Sequence, residues 1–254
     1  MPCEFYLRSP YEPGEHRWYR GDLHCHSSRS DGIYLPSQIK DIYRGHGYDF
    51  VALSDHAASG CHADSDLNDD TFVTLLAYEY EMSSFLAHLN CIGTQEAPTG
   101  FHAVSDDMQG AIDRVNSQGG FAFYCHPYVY DRPGLAFELR GLSGIEIINA
   151  GSVYYRAGRD DALRRGVAVD LWDRLLSAGH MVWGYVNTDF HKFSEEGPCA
   201  ASNYVQADHL SRECIMRALK TGASYGSTGV TVRAIHVDER VVRVESDNAD
   251  RVRF

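Results

Sequence analysis

The sequence is poor in lysine. Of 23 basic residues only Lys40, Lys192 and Lys220 are lysines, against 35 acidic ones, and the formal net charge is −12. That balance argues against holding a phosphate backbone by general electrostatics, so no nucleic-acid partner is expected. No run approaches the roughly 20 apolar residues that span a bilayer, and no membrane partner is expected either. The opening stretch MPCEFYLRSP lacks an apolar core of signal-peptide type, which sets the expectation of a cytoplasmic protein. Seven cysteines, at 3, 25, 61, 91, 125, 199 and 214, include no CxxC pair. Odd in number and scattered, they point to free thiols rather than a disulfide framework or a cysteine-zinc site. Internal repeats, low-complexity tracts and long linkers are all missing, so nothing forces a domain boundary.

What remains is an ordinary chain of 254 residues, 44% hydrophobic, with room for one large α/β barrel or two modest domains. Apolar strand-like runs alternate with helical ones, the pattern of βα units. The strand candidates are 21–27, 49–56, 72–83, 87–94, 121–127, 144–150, 181–191 and 202–208. Helices are expected over LPSQIKDIYRGHG, with Pro36 near the first turn and Gly47 as its stop, and over DDMQGAIDRVNSQGG, with an Asp cap and an end on Gly119 and Gly120. Two more are DALRRGVAVDLWDRLLSAGH and SRECIMRALKTG, the last with a Ser211 cap and a Gly222 stop. The tail VTVRAIHVDERVVRVESDNADRVRF alternates like a small antiparallel hairpin turning near Asp238 and Glu239.

The informative feature is where the acids and histidines fall. In LHCH, alternate side chains of a strand share a face, so His24 and His26 point together and Cys25 points away. His56 closes ALSDH, Glu79 lies in AYEYE, His126 in YCHP, and Asp189 and His191 in TDFH. Each stands at or near a strand's C-terminal end; His88, at the start of its strand, is the exception. In a parallel barrel those ends meet at one face, where active sites form. Buried without partners, so many polar groups would cost several kcal/mol. A metal centre explains them. His16, His46, His62, His102, His180, His209 and His236 fall in loops, helix ends or the tail and read as solvated or capping residues. Nitrogen and oxygen ligands without thiolate suit Zn, Mn or Fe, and these eight candidates, with Asp31 of SDG as a ninth, exceed what one ion takes.

In this order GDLHCH, SDG, ALSDH, AHLN, CHP and TDFH resemble the PHP (polymerase and histidinol phosphatase) family of metal-dependent phosphoesterases, from about Trp18 to His191. The resemblance implies a distorted (β/α)7 TIM-like barrel over residues 1–225, with a C-terminal β segment over 226–254, and a trinuclear site. Carried over, His24, His26 and Asp189 hold one ion and Glu79 bridges to a second. His88 and His126 serve the second, and Asp31, His56 and His191 the third. Asp31 stands where many family members have histidine. Glu81 shares the face of Glu79 and competes for the bridging place. Asp22 and Asp55 read either as residues orienting imidazoles or as strand-end caps. The later ALKTGASYGSTG resembles a branch that includes hydrolases of carbamates and carboxyl esters.

Three divalent ions less the charges of Asp31, Glu79 and Asp189 leave about +3, which attracts a phosphate and acidifies a bound water. The expected reaction is attack on the phosphorus of a small phosphorylated metabolite, with Asp189, Glu79 and His191 central. Arg29, Arg156 and Lys192 are candidates for orienting the phosphate or leaving group. Tyr128, Tyr130 and Phe137 either stack on a substrate ring or cover the barrel edge. Two competing readings keep the metals: a carboxyl ester, carbamate or amide hydrolase on the same site, and a non-catalytic metal-binding module. The amidohydrolase superfamily also opens with His-x-His, but it wants a mid-barrel lysine that this chain lacks.

Overall fold

In the computed structural model, residues 9–11, 17–82, 87–97, 107–154, 161–192, 201–238 and 240–251 are described. Their strands are β1 (Arg17–Cys25), β2 (Phe50–Leu53), β3 (Val73–Glu81), β4 (His88–Ile92), β5 (Phe121–Tyr124), β6 (Gly144–Asn149), β7 (Trp183–Asn187), β8 (Ser202–Ala207) and β9 (Ser224–Ser227). They form one sheet in the order β7-β6-β5-β4-β3-β2-β1-β8-β9. Neighbours β1, β2 and β3 run parallel, as do β5, β6 and β7, while β4 is antiparallel to both β3 and β5. The sheet curls until β7 returns to β1. Cys25 bridges Phe190 in parallel, His26 N donates to Phe190 O at 2.8 Å, and Leu23 N donates to Asn187 Oδ1 at 3.2 Å. A nearly closed, parallel-dominated barrel of seven strands results, with β8 and β9 added antiparallel beyond β1.

Sequence explains the helices well. In α1 (Pro36–Gly45) proline's fixed φ suits the first turn, where its missing N–H costs nothing. In α2 (Met108–Ser117) the Asp107 carboxylate accepts from Gly110 N at 2.8 Å, so the cap lies as read. After the single turn α3 (Leu135–Glu138) and the short α4 (Ala150–Tyr154), the segment 161–180 departs from expectation. It is two helices, α5 (Ala162–Gly166) and α6 (Val169–Ser177), rather than one. Between them Val167 bridges Ile148 and Ala168 N donates to Ile147 O, so the backbone leaves the helix to pair with β6. Gly166 permits this, since a Cβ there would lie 2.4 Å from Val153 Cγ2. Helix α7 (Arg212–Thr221) starts on Ser211, whose hydroxyl accepts from Cys214 N, and stops on Gly222 at φ 81°.

The C-terminal β10 (Val232–Asp238) and β11 (Val241–Ser246) pair antiparallel as a separate two-stranded sheet. It is tied to the barrel where Val232 N donates to the Tyr225 hydroxyl and Trp18 Nε1 to Arg233 O.

Apolar residues of six strands meet in one cluster: Leu23, Phe50, Leu75 with Ala77, Ile92, Phe121 with Phe123, and Tyr185, together with Ile215 and Leu219 of α7. Burying each large side chain contributes about 1.5–3 kcal/mol. Along β3 the alternate residues Val73, Leu75 and Ala77 join this cluster, and the next on that face is Glu79. Thus one end of the barrel is filled with apolar groups and the other with ionisable ones. Cys25, Val51, Leu53 and Phe190 pack beneath Ile39 and Tyr43 of α1 on the outer face. Cys25 and Cys125 are core thiols, and among the described residues the cysteines are unpaired. No helix among the described residues is long and apolar enough to cross a membrane.

Candidate metal centre

The pair His24 and His26 projects as the alternation requires, with ring centroids 5.3 Å apart. Between Asp22 and Cys25 the pairing of β1 with β2 slips by a residue, a bulge of the kind that re-aims side chains at a site. His56 follows β2, His126 follows β5, and Asp189 and His191 follow β7. His88 begins its strand, yet β4 runs against its neighbours, so its first residue lies at the same face as their last ones. The exception in the sequence pattern is thereby a consequence of strand direction. Asp31 is delivered by a tight loop, Ser27 to Gly32. A Cβ on Gly32 would sit 2.2 Å from His26 O, which is why glycine follows the aspartate. His126 and Asp189 have positive φ, 28° and 52°, a conformation rare for histidine that concentrates at functional sites.

The nine candidates converge. Glu79 lies at the hub, 1% exposed: its carboxylate is 2.9 Å from His88 Nδ1, 3.1 Å from His56 Nδ1 and 3.2 Å from His126 Nε2. The same carboxylate stands 3.3 Å from His24 Nε2 and 3.4 Å from His26 Nε2. Asp189 Oδ1 lies 3.2 Å from His24 Nε2, 3.4 Å from His26 Nε2 and 3.6 Å from His191 Nδ1. On the outer side Asp31 stands 3.1 Å from His191 Nε2, 3.2 Å from His26 Nδ1 and 3.4 Å from His56 Nε2. Among the described residues five overlapping triads have ligand atoms within 4.8 Å of one another: His24-His126-Asp189, His24-His26-Glu79, His26-Asp189-His191, His26-Asp31-His56 and Glu79-His88-His126. Their union is the nine residues read from the sequence. Glu81 lies above the hub, 3.3 Å from His56 Nδ1 and 3.8 Å from His88 Nε2.

Whether a metal fits can be judged from unmet valence. His24 Nε2, His26 Nε2, His56 Nδ1, His88 Nε2 and His126 Nδ1 are buried with no hydrogen-bond partner. Buried nitrogens without hydrogen bonds are costly in a polypeptide that binds nothing there, and the cost is only partly offset where His24, His26 and His56 stand 3.1–3.4 Å from the Glu79 or Asp189 carboxylates. Divalent ions of the kind that take nitrogen and oxygen donors fit them.

Charge coupling is strong. Burial alone would depress the His24 imidazolium, but Asp189, Glu146 and Glu79 outweigh it and hold the group well above the usual histidine value. Burial likewise opposes the charge on His56, and Asp31 and Glu79 push it up to about 11. Desolvation would raise Glu79 and Asp189, but the surrounding histidines hold both well below the ordinary carboxylate range. In the metal-free protein these histidines therefore carry protons at neutral pH that an ion must displace. Raised values place the proton on the folded, metal-free side of the equilibrium, so apparent metal affinity should rise with pH from 6 to 9. Titrating manganese in weakly buffered solution with a pH indicator should register proton release. Affinity independent of pH, with no protons released, would contradict this arrangement.

One buried carboxylate beside the cluster was missed in the sequence. Glu146, 1% exposed on β6, accepts from His24 Nδ1 at 3.0 Å, His126 N at 2.8 Å, Asn149 Nδ2 at 2.8 Å and Asn187 Nδ2 at 2.9 Å. Burial pushes its carboxyl up, and His24 and His126 more than reverse this. The signal was present as the lone acid within the apolar run GIEIIN. Asp22 and Asp55, by contrast, make no hydrogen bond or ion pair with an imidazole side chain among the described residues. Asp22 accepts from His24 N, Thr188 N, the Thr188 hydroxyl and Tyr43, and burial raises its carboxyl to about 6. Asp55 accepts from Ser27 N at 2.7 Å and from the hydroxyls of Ser27 and Ser30, so it shapes the loop that carries Asp31.

Of the basic candidates, Arg29 is committed to Asp64 by contacts of 2.8 and 2.5 Å. Lys192 follows His191 and is exposed, and Arg156 lies outside the described residues. Tyr130 alone of the three aromatics faces the centre, its ring 5.0 Å from His88 and 5.5 Å from His126. Tyr128 is bound to Asp170 and Phe137 packs on His180, both covering the barrel edge. The control histidines described stay away from the cluster; His46 Nδ1 meets Ile42 O and His62 Nε2 meets Ser59 O.

No protein-family model and no curated protein matches the sequence. Solved structures do share its fold. A two-domain protein from Bacteroides vulgatus containing a predicted PHP-like metal-dependent phosphoesterase aligns over 89% of this chain and 74% of its own, with 17% identity and TM-score 0.63. Endonuclease Q, in complex with a 27-mer duplex bearing an abasic lesion at the active site, aligns over 84% of this chain with 15% identity and TM-score 0.55. The chain spans 58% of that protein's length. An amidohydrolase from Chromobacterium violaceum, with bound sulfate and no metal, aligns over 81% of this chain and 97% of its own, with 17% identity and TM-score 0.50. The fold is therefore that of metal-dependent hydrolase barrels. More particularly, it is the fold of the PHP-like phosphoesterases. The expectation of no nucleic-acid partner needs correction: a protein of this fold acts with DNA at its active site, so a net charge of −12 spread over a whole chain does not exclude one.

Proposed function

We propose that the protein is a metal-dependent phosphoesterase working at the nine-residue centre. The observation that supports this most directly is the set of five buried imidazole nitrogens without hydrogen bonds, of which those of His24, His26 and His56 stand within 3.4 Å of the shared carboxylates Glu79 and Asp189. His24, His26 and Asp189 would hold one ion, His88 and His126 a second with Glu79 between them, and Asp31, His56 and His191 a third. Bound there, manganese, zinc or iron would supply Lewis-acid charge and an acidified water. The chain's own part is positional. Glu146 holds the Nδ1 side of His24 and leaves Nε2 for the site, and Asp55 fixes the loop of Asp31. Tyr130 presents a ring to whatever lies beside His88 and His126. In this reading the catalytic unit is the barrel, residues 1–225, and the β segment 226–254 is an appendage packed on it. The unpaired thiols suit a reducing, cytoplasmic setting.

A second reading, hydrolysis of a carboxyl ester, carbamate or amide, is kept alive because an amidohydrolase shares the fold. The deciding experiment offers manganese-loaded protein an aryl phosphomonoester, an aryl phosphodiester, a short oligonucleotide and an aryl carboxyl ester, with Asp189→Asn in parallel. Phosphate ester turnover is expected, lost by about a thousandfold or more in the variant with its melting temperature retained. Turnover of the carboxyl ester alone would transfer the protein to the second reading. Phosphatase activity undiminished in Asp189→Asn would refute the site.

A further inference from the structure

Glu81 is a carboxylate that the nine-residue set does not use. It follows Glu79 by two residues on β3 and shares its face, but its side chain is 12% exposed where that of Glu79 is 2%. It therefore stands on the solvent side of the hub, between His56 Nδ1 at 3.3 Å and His88 Nε2 at 3.8 Å. Both nitrogens are among those without hydrogen bonds.

Among the described residues its charge is met only by histidines. Sequence reasoning counted three carboxylates at the centre; the structure brings five, with Glu81 and Glu146 added to Asp31, Glu79 and Asp189. Every ionisable cationic partner of those five among the described residues is a histidine, which adds no positive charge once it serves as a neutral ligand. Arg29, the arginine that follows the first motif, is held by Asp64. The site is thus about two charges less positive than the ligand set alone implies, and one of the two sits at the entrance.

We infer that Glu81 sets substrate charge, favouring singly charged phosphodiesters by repelling the second negative charge of phosphomonoesters. This rests on the phosphoesterase reading and names its substrate class. A monoester at neutral pH is largely dianionic and feels the carboxylate twice, whereas a diester feels it once. For a charge a few ångströms away and partly screened, the difference amounts to about a factor of ten in relative affinity.

The test compares wild type, Glu81→Gln and the charge-preserving Glu81→Asp, all manganese-loaded and assayed for metal content. Two readouts are taken at pH 8: kcat/KM for 4-nitrophenyl phosphate against bis(4-nitrophenyl) phosphate, and calorimetric binding of inorganic phosphate against dimethyl phosphate. Glu81→Gln should raise the monoester-to-diester ratio about tenfold and tighten phosphate about tenfold relative to dimethyl phosphate, while Glu81→Asp stays near wild type. Equal losses on both substrates with unchanged binding ratios would overturn the inference, as would loss of a metal ion in Glu81→Gln, which would make Glu81 a ligand. If wild type turns over neither ester, the phosphoesterase reading falls and the binding ratio alone still decides the role of Glu81.

Discussion

Glu79→Gln is expected to lose metal and at least about a thousandfold in kcat/KM while keeping the barrel folded. No other side chain at the centre touches five histidines: His24, His26, His56, His88 and His126 all lie within 3.4 Å of its carboxylate. Glutamine keeps the shape but replaces one acceptor oxygen with a donor and removes the charge. It can neither neutralise two ions nor accept from several imidazoles at once. Metal content after dialysis, measured with activity and melting temperature, separates the site from the fold. A variant that keeps full metal content and activity would move the bridging role to Glu81, two residues on.

Glu146→Leu should cost the metal-free protein about 3–5 kcal/mol, the second of the large effects. Four donors now converge on that carboxylate: His24 Nδ1, His126 N, Asn149 Nδ2 and Asn187 Nδ2. Each buried donor left without an acceptor costs about 1–3 kcal/mol, and some recover by turning to one another. Leucine fits the apolar company of GIEIIN, so steric clash is not the cause. Urea unfolding reads the loss directly, and Glu146→Gln, which keeps two of the acceptor functions, should fall between. In the milder variant metal affinity should drop about 10–100-fold because His24 is no longer held in one orientation. A loss below about 1 kcal/mol in Glu146→Leu would mean that water replaces the carboxylate and that the network is not structural.

Some features were legible because their physics is local. Alternation along a strand put His24 with His26 and turned Cys25 to the core, whatever the rest of the chain did. Asp107, Ser211 and Gly222 marked helix ends through hydrogen bonds and dihedrals spanning a few residues. Seven of the ligand candidates stood out because polar groups at the ends of apolar strands are costly unless something binds them, whereas Asp31 entered through the resemblance.

Other features belong to pairing at a distance, and only the tertiary structure decided them. The direction of β4 is set by its neighbours, and it alone turns His88 from a strand-start oddity into a member of the cluster. Glu146 is one acid in an apolar strand by sequence, and β1, β5 and β7 bring it three of its four donors, Asn149 of its own strand supplying the fourth. Arg29 looked available until the loop after His56 folded Asp64 against it. The helix expected over 161–180 broke because β6 offered Val167 and Ala168 backbone partners that helix periodicity cannot foresee. Local spacing marked most of the histidines and acids that gather at one end of this barrel. Contacts between residues far apart in sequence decided which of them share a carboxylate, which are tied up elsewhere, and how much negative charge guards the entrance.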